Sequence, residues 1–172
     1  MRHRARAAVI TTFVVPAAVV IPGVAGAAEA EDVRYSFSVD GTSVTNTIVN
    51  NTGEELICST SLGNAPDGIL PPVWEVVGAG QSLYEQGPVA PGTSTQVIAD
   101  VPAGSYVALA SCGNADSTAM WVSDYPGIEE ILALFPLTSF AVEQGVTVVT
   151  VPAETPAVPV QQSPSFGSSQ PE

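Results

Sequence analysis

Two cysteines, each on a stretch that alternates like a strand, most limit what this chain can fold into. Leu56 to Leu62, LICSTSL, puts Leu56, Cys58, Thr60 and Leu62 on one parity and Ile57, Ser59 and Ser61 on the other, which is the pattern of a strand with one buried face. Ser105 to Cys112, SYVALASC, puts Tyr106, Ala108, Ala110 and Cys112 on one parity. Each strand therefore carries an inward cysteine. Asn50, Asn51 and Gly53 ahead of the first, and Pro102, Ala103 and Gly104 ahead of the second, are residue types that let the chain reverse.

The N-terminal stretch decides the redox state of these thiols. Residues 1–30 hold Arg2, Arg4 and Arg6, an apolar run from Ala7 to Val24, and then Ala25, Gly26, Ala27 and Ala28, the layout of a secretory signal peptide. The competing reading is a membrane anchor, since the run is near the lower limit for spanning a bilayer. Pro16, Pro22 and the small residues favour removal, with Ala25 and Ala27, or Ala28 and Ala30, as the processing pair. No cysteine follows the run to accept a lipid. An exported chain meets an oxidising compartment, so the two cysteines are expected to join, Cys58 to Cys112. Such a link stabilises by about 4 kcal/mol in the chain-entropy account. A redox role finds no support, as there is no CxxC spacing and no basic neighbour to lower a thiol pKa.

Losing the leader also removes three of the four arginines and the single histidine, His3. Arg34 then stands alone against almost all of the 17 acidic residues, and the formal charge falls below the -13 of the whole chain. Such a surface repels nucleic acid and anionic lipid. The absence of lysine beside plentiful Ala, Val, Gly and Pro also fits a GC-rich coding bias, which needs no functional cause.

Along the chain, Val33 to Val39 alternates as a first strand, and Asp40–Gly41 reads as a turn. Thr42 to Val49 is Thr/Val-rich, but Asn46 falls between Val44 and Ile48, so an edge strand is expected. A loop from Gly63, a short strand around Val73 to Val77 with Trp74, and a loop-like Gly78 to Gly92 with an extended piece near Leu83 and Tyr84 follow. Thr93 to Val101, Thr118 to Val122 and Val146 to Val151 read as further strands. Ile128, Ile131, Leu132 and Phe135 lie at helical spacing between Pro126 and Pro136, which predicts a helix of about two turns closing an open end of the core. Residues 153–172 are rich in Pro, Ser and Gln and read as a disordered tail with no apolar anchor. Residues 31–152 thus form one all-β domain, a β-sandwich of seven or eight strands with one short helix and one disulfide.

VTNTIVNNTGEELICSTS resembles the strand, Asn-x-Gly turn and strand of bacterial immunoglobulin-like modules of the cell-adhesion-related type, and VPAGSYVALASC resembles their penultimate strand. The resemblance covers about 18 and 12 residues and implies an immunoglobulin-like sandwich. The order Cys58, Trp74, Cys112 is similar to antibody-type domains, although Tyr106 lies six residues before Cys112 where the antibody spacing is two. An immunoglobulin-like order implies that both cysteine strands run the same way and that the loops after them meet. Asn64, Asp67, Asn114 and Asp116 would then form an oxygen-rich end able to take Ca²⁺ or a polar ligand. The plain alternative is two ordinary turns made of the usual turn residues.

Without histidine or lysine beyond the leader, triad catalysis, Schiff bases and His-ligated zinc lack a participant. Paired carboxylates remain, but the adjacent Glu54–Glu55 and Glu129–Glu130 diverge on a strand or helix. The sequence therefore points to a non-catalytic, secreted or envelope-located domain without a cofactor. Its partner is a protein or glycan of the envelope, with no nucleic acid and no stable membrane span. The alternatives are an inhibitor or accessory subunit of a secreted enzyme, acting through Gly78 to Gly92, and a carboxylate-based glycan hydrolase.

Overall fold

A computed structural model describes residues 27–77 and 82–153. Most of the leader and nearly all of the tail lie outside these residues. The described part is an all-β sandwich of two sheets. The first sheet holds β1 (Val33–Asp40), β2 (Ser43–Asn50) and β5 (Gly92–Ile98) in the order β1-β2-β5. The second runs β4 (Tyr84–Val89), β3 (Leu56–Asn64), β6 (Gly104–Asn114), β7 (Ala119–Ser123) and β8 (Thr138–Val142), with β9 (Val148–Val151) also on β6. The side chains of Val33, Tyr35, Phe37 and Ile48 from one sheet and Leu56, Leu62, Ala108 and Trp121 from the other fill the space between them.

The expected inward parity holds: Leu56, Cys58, Thr60 and Leu62 are buried, as are Tyr106, Ala108, Ala110 and Cys112. Cys58 and Cys112 form the disulfide. They do so within one sheet, because β3 and β6 are antiparallel neighbours and the two cysteines are direct partners in the register. Strands expected to run the same way therefore run in opposite directions. The tryptophan on the cysteine face is Trp121, the partner of Cys112 across β6 and β7. Trp74 lies elsewhere.

Tyr106, six residues before Cys112, folds its side chain back at the start of β6. Its hydroxyl donates to the Pro102 carbonyl at 2.9 Å, tying the turn before β6 to the strand.

Strand β2 is central rather than an edge, pairing β1 on one side and β5 on the other. Asn46 points inward with Val44 and Ile48 because it has partners there. Its amide donates to Thr60 Oγ1 at 2.9 Å, Thr60 donates to Gln96 Oε1 at 2.7 Å, and Gln96 Nε2 donates to the Cys58 carbonyl at 2.9 Å. Strand β4, read as loop, survives Gly87 and Pro88 because it is an edge strand pairing only β3, where a missing N–H costs no ladder bond.

Strand β6 is buried on both faces. Val107 and Leu109 point away from the sandwich core into a second apolar layer with Val122, Tyr125, Val73 and Ile128. That layer is covered by α1 (Val73–Val76) and α2 (Ile128–Leu132). Residues 73–77 thus form a helical turn after Pro71–Pro72, not a strand, and α2 covers the outer face of a sheet instead of an open end.

Strands β9 and β7 share one edge of β6, pairing residues 104–107 and 111–113 respectively. Side chains bridge the gap between them. The Ala110 N–H donates to Ser123 Oγ at 2.8 Å, Ser123 donates to Gln144 Oε1 at 2.6 Å, and Gln144 Nε2 donates to the Ala108 carbonyl at 2.9 Å. Buried main-chain groups that lose a ladder partner need such substitutes.

Candidate functional site

Antiparallel pairing of β3 and β6 decides which turns meet. Leu56 is the register partner of Asn114, and Asn64 that of Tyr106. The turn before β3 therefore sits beside the turn after β6, while Asn64 and Asp67 lie at the opposite end, about 26 Å away along the strand at its usual rise. The four-residue oxygen site does not form. Asn64 ends β3, and Asp67 occupies a 3₁₀ turn at φ 57°.

Asn114 and Asp116 act as turn residues. Asn114 Oδ1 accepts from the Thr118 and Ala119 N–H groups at 3.0 and 2.9 Å, and its amide donates to Thr118 Oγ1 at 2.8 Å. Asp116 Oδ1 accepts from the Thr118 hydroxyl at 2.7 Å. Across from them, Asn50 organises the β2–β3 turn. Its amide donates to the Glu54 and Val89 carbonyls at 2.8 and 3.1 Å, and its oxygen accepts from Thr52. Gly53 at φ +81° completes that reversal.

Between these two turns lies a cavity of about 600 Å³ whose lining includes Ala27, Ala28, Asp32, Glu54, Asn114, Asp116 and Trp121. Three carboxylates share it. Asp32 is held there by the 2.7 Å bond from the Asn51 N–H to its main-chain carbonyl. Asp32 and Glu54 were not legible as site residues, since only the antiparallel register brings them to Asp116. Among the described residues no group of three or more His, Cys, Asp or Glu is arranged to hold a metal ion. The chemistry on offer is that of hydrogen-bond acceptors.

A second feature lies on the helical layer. Val73 and Val76 of α1 turn inward, which leaves Trp74 70% exposed. Ile69 and Leu70 lead into the same helix, and Leu134 and Phe135 follow α2; all four are exposed. Tyr125 ties the two helical segments together, its hydroxyl donating to the Pro71 carbonyl. Burial, with the Glu75 carboxylate as a lesser cause, holds its phenol above the usual range.

No family model matches the chain, and no curated protein or solved structure matches it either.

Proposed function

We propose that this protein is an exported, non-catalytic interaction domain of the bacterial cell envelope or the surrounding medium, and that it binds another protein through its helical layer. One observation carries this reading: Trp74, Ile69, Leu70, Leu134 and Phe135 expose apolar side chains on and beside two helices whose other faces are buried. A folded monomer gains nothing from presenting a tryptophan to water, and aromatic anchors of this kind dominate protein interfaces. The Cys58–Cys112 disulfide suits the same location. Among the described residues, no helix is long and apolar enough to cross a membrane.

A second reading, glycan hydrolysis, draws on the cavity lined by Asp32, Glu54 and Asp116. Against it, Asp32 and Asp116 already accept hydrogen bonds within their own turns. Of the Gly78 to Gly92 stretch assigned to the inhibitor reading, Tyr84–Val89 is strand, and residues 78–81 lie outside the described residues.

Capture from the producing cell's envelope and culture fluid, using the oxidised protein beside Trp74→Ala and Asp116→Asn variants, tests the proposal. A protein retained by the parent and by Asp116→Asn but lost with Trp74→Ala supports it. Equal retention by all three would sink the assignment to the helical layer, and glycan turnover lost with Asp116→Asn would favour the enzyme.

A further inference from the structure

We propose that the leader is cut between Ala27 and Ala28, which keeps Glu29 in the mature chain as the partner of Trp121. This inference rests on the export reading above. The sequence offers two processing pairs, Ala25 with Ala27 and Ala28 with Ala30, and small-residue spacing alone does not choose between them.

The geometry does. The Glu29 carbonyl accepts the Trp121 indole N–H at 2.8 Å and the Asp32 N–H at 3.2 Å, while the Glu29 N–H donates to Asp32 Oδ2 at 2.8 Å. Glu29 is thus part of the fold. A cut after Ala30 removes all three bonds, including the protein partner of the Trp121 indole N–H, a residue that is 1% exposed while Glu29 is in place. Buried tryptophan N–H groups are normally paired. A cut after Ala27 removes none of them.

The bond is also accessible, because Ala27 to Ala30 are exposed and Val33 is the first buried position among the described residues. Hydrolysis consumes one water, breaks the Ala27 carbonyl to Ala28 nitrogen bond, leaves a carboxylate on Ala27, and gives an amine on Ala28 that takes up a proton. Ala28 joins Asp32, Glu54 and Asp116 in lining the cavity. Processing therefore places a positive charge on a residue that lines the same cavity as three carboxylates, to which opposite charge is attracted.

The full chain, expressed in a secreting bacterial host, is recovered from outside the cytoplasm and its N-terminus is read by sequencing and intact mass. A start at Ala28 is expected. A start at Glu31 or at any other residue beyond the apolar run overturns the assignment while leaving export intact. An uncut chain held in the cell overturns the export reading and the cut with it. As an independent measurement, forms beginning at Ala28 and at Glu31 are compared by thermal unfolding and by the indole N–H resonance of Trp121. The shorter form should melt lower by about 3 °C or more and show a shifted indole signal. Identical melting and an unmoved resonance would show that Glu29 does no structural work, which removes the basis of the proposal.

Discussion

Gln96 in the first sheet donates from Nε2 to the main-chain carbonyl of Cys58 in the second at 2.9 Å. A side chain thus crosses the apolar core and grips the backbone at the disulfide. Thr60 and Asn46 extend the chain of bonds, and Asn46 Oδ1 is left without a partner among the described residues. Groups buried this way are costly once one member is removed. Gln96→Ala should therefore destabilise by about 2 kcal/mol, read as a fall in the urea midpoint at unchanged slope. An unchanged midpoint would mean that water replaces the amide at no cost.

The disulfide joins residues 54 apart in sequence. Reduction, or the Cys58→Ala/Cys112→Ala double change, should cost about 4 kcal/mol in the chain-entropy account. Because the two cysteines are register partners, amide exchange along β3 and β6 should accelerate more than in β1 and β2. Uniform acceleration would show that the link acts only on the unfolded chain.

The two tryptophans should behave in opposite ways. Trp121 stacks on Phe140 at 5.6 Å between ring centres and is buried, so Trp121→Ala should cost about 4 kcal/mol. Trp74→Ala should change stability by no more than about 0.5 kcal/mol while abolishing partner capture. Quenching by a small polar reagent checks the assignment directly, since only Trp74 should respond strongly.

Alkaline pH supplies a further test. Burial raises the Tyr35 phenol well above its ordinary value of 10.0, and its hydroxyl donates to the Trp121 carbonyl at 2.9 Å. Above that ordinary value the unfolded chain releases the proton while the folded chain keeps it, so unfolding becomes more favourable as pH rises. The stabilisation is fully present below about pH 10 and is lost from there toward the raised folded value. Denaturant midpoints measured across this range should fall, and Tyr35→Phe should flatten the fall. A variant with the parental slope would exclude Tyr35 as a cause.

Gln144→Ala should loosen the junction of β7 and β9. It removes the donor to the Ala108 carbonyl and the acceptor of the Ser123 hydroxyl. The expected cost is about 2 kcal/mol, with faster exchange at the Ala110 N–H, which Ser123 holds. Unaltered exchange there would show that Ser123 needs no help from Gln144.

How far the fold was legible depended on whether a residue's parity spoke for itself. Val33 to Val39 and Leu56 to Leu62 alternate cleanly, and their strands follow. Asn46 misleads because a polar side chain inside an apolar run reads as outward, whereas its amide finds Thr60 as a partner inside. Val73 to Val77 misled because a short apolar run has no period, and Pro71–Pro72 set up a helical turn there. Thr138 to Val142, absent from the strands that the sequence predicts, pairs β7 in parallel at the sheet's edge. For the site, parity shows that Cys58 and Cys112 both point inward but not whether their strands are neighbours or which way they run. That one unknown moved Asn64 and Asp67 away from Asn114 and Asp116 and brought Asp32 and Glu54 in.

Strand β6 takes two partners along one edge, and the second, β9, is the last strand described. Trimming the chain from its C-terminal side as far as Val148 would bare the N–H and C=O groups of residues 104–107 on a strand whose side chains are largely buried. Any extended segment could then dock there, including β9 of another copy. Four residues near the end of the domain thus keep covered a stretch of β6 edge that lies beside the sandwich core.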